Sequence, residues 1–380
     1  MKKIILMFLA ITALSLPFSA YAKKVYPDGP LFPVREGGLY GYIDRTGKMI
    51  IKPQFVDARD FSEGLARVTI DVFHWGYVDT TGRMVIEPRF DWVENFHEGL
   101  AAVRLDGKWG FIDKKGNMVV APQWSEVRWF KEGLAAVNLR ARYHSDQWGF
   151  VDKTGAVVIP PQYTKVMDFS EGLAQVKVGS KWGYLDKTGQ IAIAAQYDRT
   201  ENFSEGLAKV QVGENYGFIN QKGQMVIAPQ FSSAENFSEG LAAVRIDNKA
   251  GFIDHTGQFA IEPQFDFTHS FSEGFAEVSV NGLTGYIDKR GQYIITPQKF
   301  NLTEPFSEGL AAVRLDESKN VWCFFDTKGK KVFTVTGVTP WDFSGGLSKL
   351  EREISTEYDG VDFAIDYINK QGKFVWREKY

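Results

Sequence analysis

The chain has 380 residues, 44% of them hydrophobic and 14% aromatic, with 37 glycines and 14 prolines, the profile of a folded protein with many turns. Its 44 basic and 47 acidic side chains alternate along the sequence, which argues against the basic face that nucleic acid requires. Cys323 is the single cysteine, so no intramolecular disulfide is available and stability has to come from packing.

Residues 1–22 read as a secretory signal. Lys2 and Lys3 precede an apolar run from Ile4 to Leu16, and Ala20, Tyr21 and Ala22 supply the small, any, small pattern of a cleavage site. The run falls short of the roughly 18 to 20 residues that span a bilayer, so cleavage after Ala22 is expected rather than retention as an anchor. Removal takes two lysines and no acid, moving the net charge from −3 to −5. The expected location is the periplasm or the exterior of the cell.

The rest of the chain is built on one repeated unit. Residues 99–124 read GLAAVRLDGKWGFIDKKGNMVVAPQW, and the Gly-aromatic-aliphatic-Asp core of this unit recurs from Gly41, Gly76, Gly110, Gly149, Gly183, Gly217, Gly251 and Gly285, with Asn220 in place of Asp once. The spacing is 34 or 35 residues except for one step of 39, between Gly110 and Gly149. A ninth copy carries Cys323 at the glycine position, and a tenth, partial copy runs from Tyr367 to Gly372.

Within the unit, apolar residues alternate with others, which predicts strands over Leu100–Leu105, Trp109–Asp113 and Asn117–Ala121. Asp106-Gly107 suits a two-residue hairpin that needs positive φ, and Asp113 to Gly116 suits a type I turn closed by a glycine bulge. Pro122 bars the last strand from a central position. About ten residues then lead to the Phe-Ser-Glu-Gly-Leu bend, seen at Phe61, Phe169, Phe203, Phe237, Phe271 (with Phe275 in place of the leucine) and Phe306. A lone three-stranded meander buries too little to be stable, so neighbouring units must lean on one another.

These residues predict an all-β protein of about nine to ten three-stranded antiparallel units. An open β-repeat array over residues 23–347, with a partial repeat and cap at 348–380, is the expected arrangement, because propeller blades usually take four strands and 40 or more residues. Propeller-like closure is the alternative.

Trp-Gly-aromatic-aliphatic-Asp-x-x-Gly at Trp75, Trp109, Trp148 and Trp182, followed by Pro-Gln-aromatic and Glu-Gly-Leu-Ala, resembles the bacterial WG, or KWG, repeat. The resemblance covers roughly residues 31–347. It implies an all-β scaffold, often exported, with no catalytic activity assigned to the repeat and no ligand named. Tyr40, Tyr216, Ala250 and Thr284 replace the tryptophan and Cys323 replaces the glycine, departures that argue against one uniform ligand site per unit.

Repetition also arranges acids in columns. Asp44, Asp79, Asp113, Asp152, Asp186, Asp254, Asp288 and Asp326 share a turn position with Asn220, and turn chemistry explains both residue types better than calcium does. Glu63, Glu98, Glu132, Glu171, Glu205, Glu239, Glu273 and Glu308 fit a brace for the bend beside the following glycine, since an active site needs a single copy. The bend serine is replaced by His97 and Lys131, no nucleophile elbow is present, and His74, His97, His144, His255 and His269 lack zinc spacing. No enzyme activity, cofactor or metal is expected.

Function is therefore expected where the period breaks. Trp92, Trp124, Arg128 and Trp129 cluster in the connections, and the 39-residue step makes room for Arg140, Arg142 and Tyr143. Aromatics beside arginines can grip a peptide or stack on a sugar. The expected function is a non-enzymatic, exported scaffold that binds a protein partner, with a cell-wall glycan as the alternative ligand.

Overall fold

Each repeat forms a small antiparallel sheet whose middle strands are buried on both faces, as in Leu100–Leu105 and Lys108–Asp113, rather than alternately buried and exposed. The computed structural model describes residues 29–139, 146–355 and 361–379, so the signal segment and the three residues Arg140, Arg142 and Tyr143 lie outside the described part. Ten sheets form, in strict chain order, eight of four strands and two of three. They are arranged in a ring as the blades of a ten-bladed β-propeller. The alternative closure, not the open array, is the architecture.

Blade 3 shows the pattern. Its strands are Trp92–Val93, Leu100–Leu105, Lys108–Asp113 and Met118–Trp124, paired in that order. The second and third match the predicted strands closely, and the fourth runs past the predicted end at Ala121, through Pro122 to Trp124. The first corrects the three-stranded unit: the connection to the bend contains a two-residue strand, too short to show periodicity, which pairs Trp92 with Arg104 and Val93 with Val103.

The turns follow their residues. Asp106 and Gly107 take φ of 51° and 74°, as a two-residue hairpin demands. In the Asp-x-x-Gly turn, the amide of Gly116 donates to the Asp113 carbonyl at 2.9 Å and the amide of Asp113 donates to Asn117 at 3.0 Å. Asp113 Oδ1 accepts the amides of Lys115 and Asn117, each at 2.9 Å. At Asp152 the Thr154 hydroxyl and amide hold the carboxylate below its usual range. The aspartate column is turn chemistry.

Each hydrophobic cluster straddles two blades. Phe111, Val120 and Trp124 of blade 3 pack with Phe130, Ala135 and Val151 of blade 4, and the rings of Phe111 and Phe130 meet edge to face at 4.8 Å. Truncating such a buried phenylalanine costs roughly 3–5 kcal/mol. No blade buries its own faces, which is why the ring holds as one body.

The glutamate column ties blade to blade. Glu98 has φ of 52° and Gly99 of 88°, so the bend is itself a two-residue hairpin. Glu98 Oε2 accepts the amide of Gly133, one blade on, at 2.9 Å, and pairs with Lys153 at 2.9 Å. The same link runs from Glu63 to Gly99 and Lys114, and from Glu239 to Gly274 and Lys289. The bend serine adds a second link, as in Ser204 Oγ to the Phe237 carbonyl at 2.8 Å. The brace reading of the glutamates holds.

The ring shuts without exchanging a strand, since blade 1 takes residues 32–55 and blade 10 residues 339–376 only. Phe32 lies 5.5 Å from Tyr367, whose hydroxyl donates to the Pro33 carbonyl at 3.1 Å. Arg35 pairs with Glu378 at 2.5 Å. Fully buried Asp366 holds Arg352 with two bonds of 3.1 and 3.2 Å and accepts the amide of Glu378 at 3.0 Å. At this seam Gly345 stands where other bends carry glutamate, because a Cβ there would lie 2.4 Å from Pro30.

Blade 9 explains Cys323. In blade 3 the fourth strand bulges at its proline, so Trp109 pairs with Trp124 but Phe111 with Val120, and a Cβ on Gly110 would lie 2.3 Å from the Val120 carbonyl oxygen. Blade 9 lacks that proline and pairs Trp322, Cys323 and Phe324 with Val335, Thr334 and Phe333, residue for residue. A straight partner strand leaves room for the cysteine side chain.

Candidate functional site

One position of the repeat controls the space between blades. It is the third residue of Leu-Ala-x-Val, on the second strand, and its side chain faces the first strand of the next blade. Arg67 donates there to the Val93 carbonyl at 2.8 Å and to Glu94 Oε2 at 3.0 Å. Lys209 Nζ donates to the Ala234 carbonyl at 2.7 Å, and Gln175 is bonded to Thr200 and Asn202. In these gaps the chain fills its own space. At Ala102, Ala136, Ala243 and Ala312 it has no side chain long enough to do so.

A cavity of about 460 Å³ opens at Ala102, between blades 3 and 4 and reaching blade 5. Its walls are Ala102, Trp109, Val127 and Trp129, with Glu94, Glu126, Arg128 and Asp168 among them. A smaller space of about 100 Å³ opens at Ala243. Ala136 differs, because Arg128 crosses that gap itself, with its guanidinium 5.6 Å from the Trp148 ring and 3.9 Å from the sulfur of Met167.

Asp168 is the unusual polar group of the first cavity. Its side chain is 17% exposed, and Oδ1 is fully buried with no hydrogen bond among the described residues. Arg128 is the nearest cation, at 3.7 Å, too long for a hydrogen bond. Burial raises the carboxyl above its ordinary range, and Arg128 and Lys131 offset this only in part.

The residues proposed from sequence separate in the structure. Arg128 and Trp129 line the cavity, and Trp129 is 53% exposed, its ring 5.1 Å from His97. Trp92 does not line the cavity: 40% exposed, its ring lies 5.3 Å from that of Trp75 on blade 2, and its indole nitrogen donates to Glu94 Oε1 at 2.8 Å. Trp124 is core instead, 3% exposed and packed with Phe111 and Phe130. Sequence reasoning missed Glu94, Ala102, Trp109, Glu126 and Asp168. The signal was present in the x of Leu-Ala-x-Val, which alternates between long polar residues and alanine.

A second cavity of about 400 Å³ lies at blades 7 to 9, lined by Glu235, His269, Phe275, Glu277, Tyr286 and Glu304, among others. Glu277 is raised chiefly by burial, against the Thr303 hydroxyl and His269. Glu304 is raised by burial and then by the charges of Asp342 and Glu277. Glu277 is the only acid at the x position among the repeats. Among the described residues, no group of three or more His, Cys, Asp or Glu side chains is placed to hold a metal. No described helix is long and apolar enough to cross a membrane.

No curated protein matches the chain significantly. Among solved structures, a eukaryotic initiation factor is similar over 79% of this chain and 92% of its own, at 15% identity and a TM-score of 0.55, a likeness of fold alone. The dihydro-heme d1 dehydrogenase NirN (13% identity, 81% of this chain and 73% of its own, TM-score 0.40) and BamB from Moraxella catarrhalis (12% identity, 80% and 92%, TM-score 0.36) are more distant and carry no argument. The family described as WG containing repeat matches eight times, at residues 40–71, 75–109, 109–143, 148–182, 182–216, 216–249, 251–283 and 285–318. With its Trp-Gly cores, Asp-x-x-Gly turns and Glu-Gly braces repeated around the ring, the chain belongs to the WG containing repeat family.

Proposed function

We propose that this propeller is a non-enzymatic, exported scaffold that binds a protein partner at the mouth of the cavity between blades 3 and 4. The observation that carries the reading is that cavity: an interblade gap left open at Ala102 and walled by two tryptophans, one of them half exposed. Exposed aromatics beside charged groups are the composition of energetically dominant contact residues at protein interfaces. Export rests on the basic, apolar and small-residue order of residues 1–22.

A photo-crosslinking residue placed at position 129 tests this in cells, with position 225 on the fourth strand of blade 6 as the control. A discrete protein adduct at 129 and none at 225, recovered from the extracytoplasmic fraction, is the expected result. Identical products at both positions, or recovery only from the cytoplasm, overturn it. The absence of chemistry is tested at the second cavity: turnover of a glycan or peptide that is abolished by Glu277→Gln would replace this reading with a hydrolase. The open face of Trp129 also favours the alternative of glycan binding, and retention on peptidoglycan that Trp129→Ala abolishes would establish it.

A further inference from the structure

The scaffold reading leaves the chemistry of the partner open, and the neighbouring gaps narrow it. We propose that the cavity at Ala102 is a receptor for one lysine or arginine side chain of the partner, which takes in trans the place that Arg67 and Lys209 take in cis.

The repeat carries its own precedents. At two gaps of the same ring, a cationic side chain leaves the x position, crosses the space and donates to the carbonyl three residues before the bend phenylalanine, that of Val93 or Ala234. The corresponding carbonyl at the Ala102 gap belongs to Val127, which lines the cavity. The gap there has the same backbone frame and no cation at the x position, with Arg128 standing where Glu94 stands in the Arg67 gap.

The lining fits such a side chain better than it fits a sugar. Ala102, Val127, Trp109 and Trp129 give an apolar corridor for a methylene stem, and the tryptophan faces attract a cation. Both oxygens of Glu94 are already engaged, one by Arg67 and one by Trp92. Asp168 offers a buried oxygen that no described group hydrogen-bonds. A sugar ring needs several hydrogen-bonding partners around it, whereas a long apolar stem with one charged tip needs a corridor and one acceptor. The lining carboxylates of Glu94, Glu126 and Asp168 also outnumber the one cation, Arg128. Arg128 is held at 3.7 Å from Asp168, so an incoming ammonium can take the shorter contact.

The test uses the purified protein labelled with 5-fluorotryptophan, with the resonances of Trp109 and Trp129 assigned by phenylalanine substitution. The probes are the N-acetyl, N-methylamide derivatives of lysine, arginine, norleucine and glutamate, together with an N-acetylglucosamine disaccharide. Lysine and arginine derivatives are expected to shift both resonances in a saturable way, and the others are not. Asp168→Asn weakens this binding about tenfold, the loss of one charge-assisted hydrogen bond.

Ala102→Lys fills the gap as Lys209 fills its own and abolishes the response, with thermal unfolding confirming that the ring is intact. Equal binding of norleucine or the disaccharide, full binding by Ala102→Lys, or no response to either cation overturns the proposal. Failure here is distinct from failure of the scaffold reading. A crosslinked partner whose capture survives Ala102→Lys leaves the scaffold standing and removes the cation receptor.

Discussion

The gap between blades 2 and 3 and the gap between blades 3 and 4 are built on one frame and end in opposite states. Both set a second strand against the first strand of the next blade, and both are closed below by an edge-to-face aromatic pair, Tyr77 with Phe96 in one and Phe111 with Phe130 in the other, each at 4.8 Å. In the first, Arg67 spans the space and is bonded at its far end. In the second, Ala102 leaves a cavity of about 460 Å³. A repeat array can thus make a site by omission. One side chain is withheld while every brace that maintains the ring is kept, so opening the site costs the fold little.

Four substitutions break or sharpen this contrast. The largest effect is expected at the seam of blades 10 and 1, where Arg35 pairs with Glu378 and the amide of Glu378 donates to Asp366. Asp366→Ala removes a fully buried carboxylate that holds Arg352 through two bonds, and the loss is on the order of 3–5 kcal/mol, read by urea unfolding. Arg67→Ala is expected to cost about 2 kcal/mol, since two hydrogen bonds go and Glu94 loses its cation. A crystal structure of this variant should show a second cavity between blades 2 and 3.

Glu277→Gln should act through pH. The carboxyl of Glu277 is raised in the folded protein, so folding binds protons in the window above the ordinary glutamate value. Its contribution to stability is greatest when protonated and declines as pH rises through that window. The variant should therefore melt above the parent at pH 7, with the difference shrinking toward pH 4. The turn aspartates work in the opposite sense, because those such as Asp152 and Asp186 are lowered, and their contribution is lost as pH falls below the ordinary aspartate value. The smallest effect is expected for Ala243→Lys, within about 0.5 kcal/mol, with the new ammonium on the Thr268 carbonyl as Lys209 is on that of Ala234.

Much of this molecule was legible from residues whose role is local. Asp113 accepts amides two and four residues on, Asp106-Gly107 makes its hairpin, and Glu98 needs only the next copy of the same bend. The strand Trp92–Val93 was not legible, because two residues carry no period. Trp124 was misplaced for a related reason: it follows a proline, as a connection residue does, but the bulge at Pro122 lets the strand run on and turns the ring into the core. Arg128 and Trp129, singled out because they break the pattern of the repeat, lie in the cavity wall. Asp168 was missed because it follows the pattern, with Asp60 and Asp342 at the same place before the phenylalanine.

The sequence by itself determined three of the unit's strands, its turns and a count of about nine to ten copies, since these depend on contacts within about 35 residues and the period repeats them. Whether ten units make a line or a ring is decided by the small rotation between neighbours, summed until residues more than 300 positions apart meet, as Tyr367 meets Pro33. No local pattern encodes that sum. The site belongs to the same level, because an alanine on one blade becomes a cavity only when a specific neighbour is set across from it.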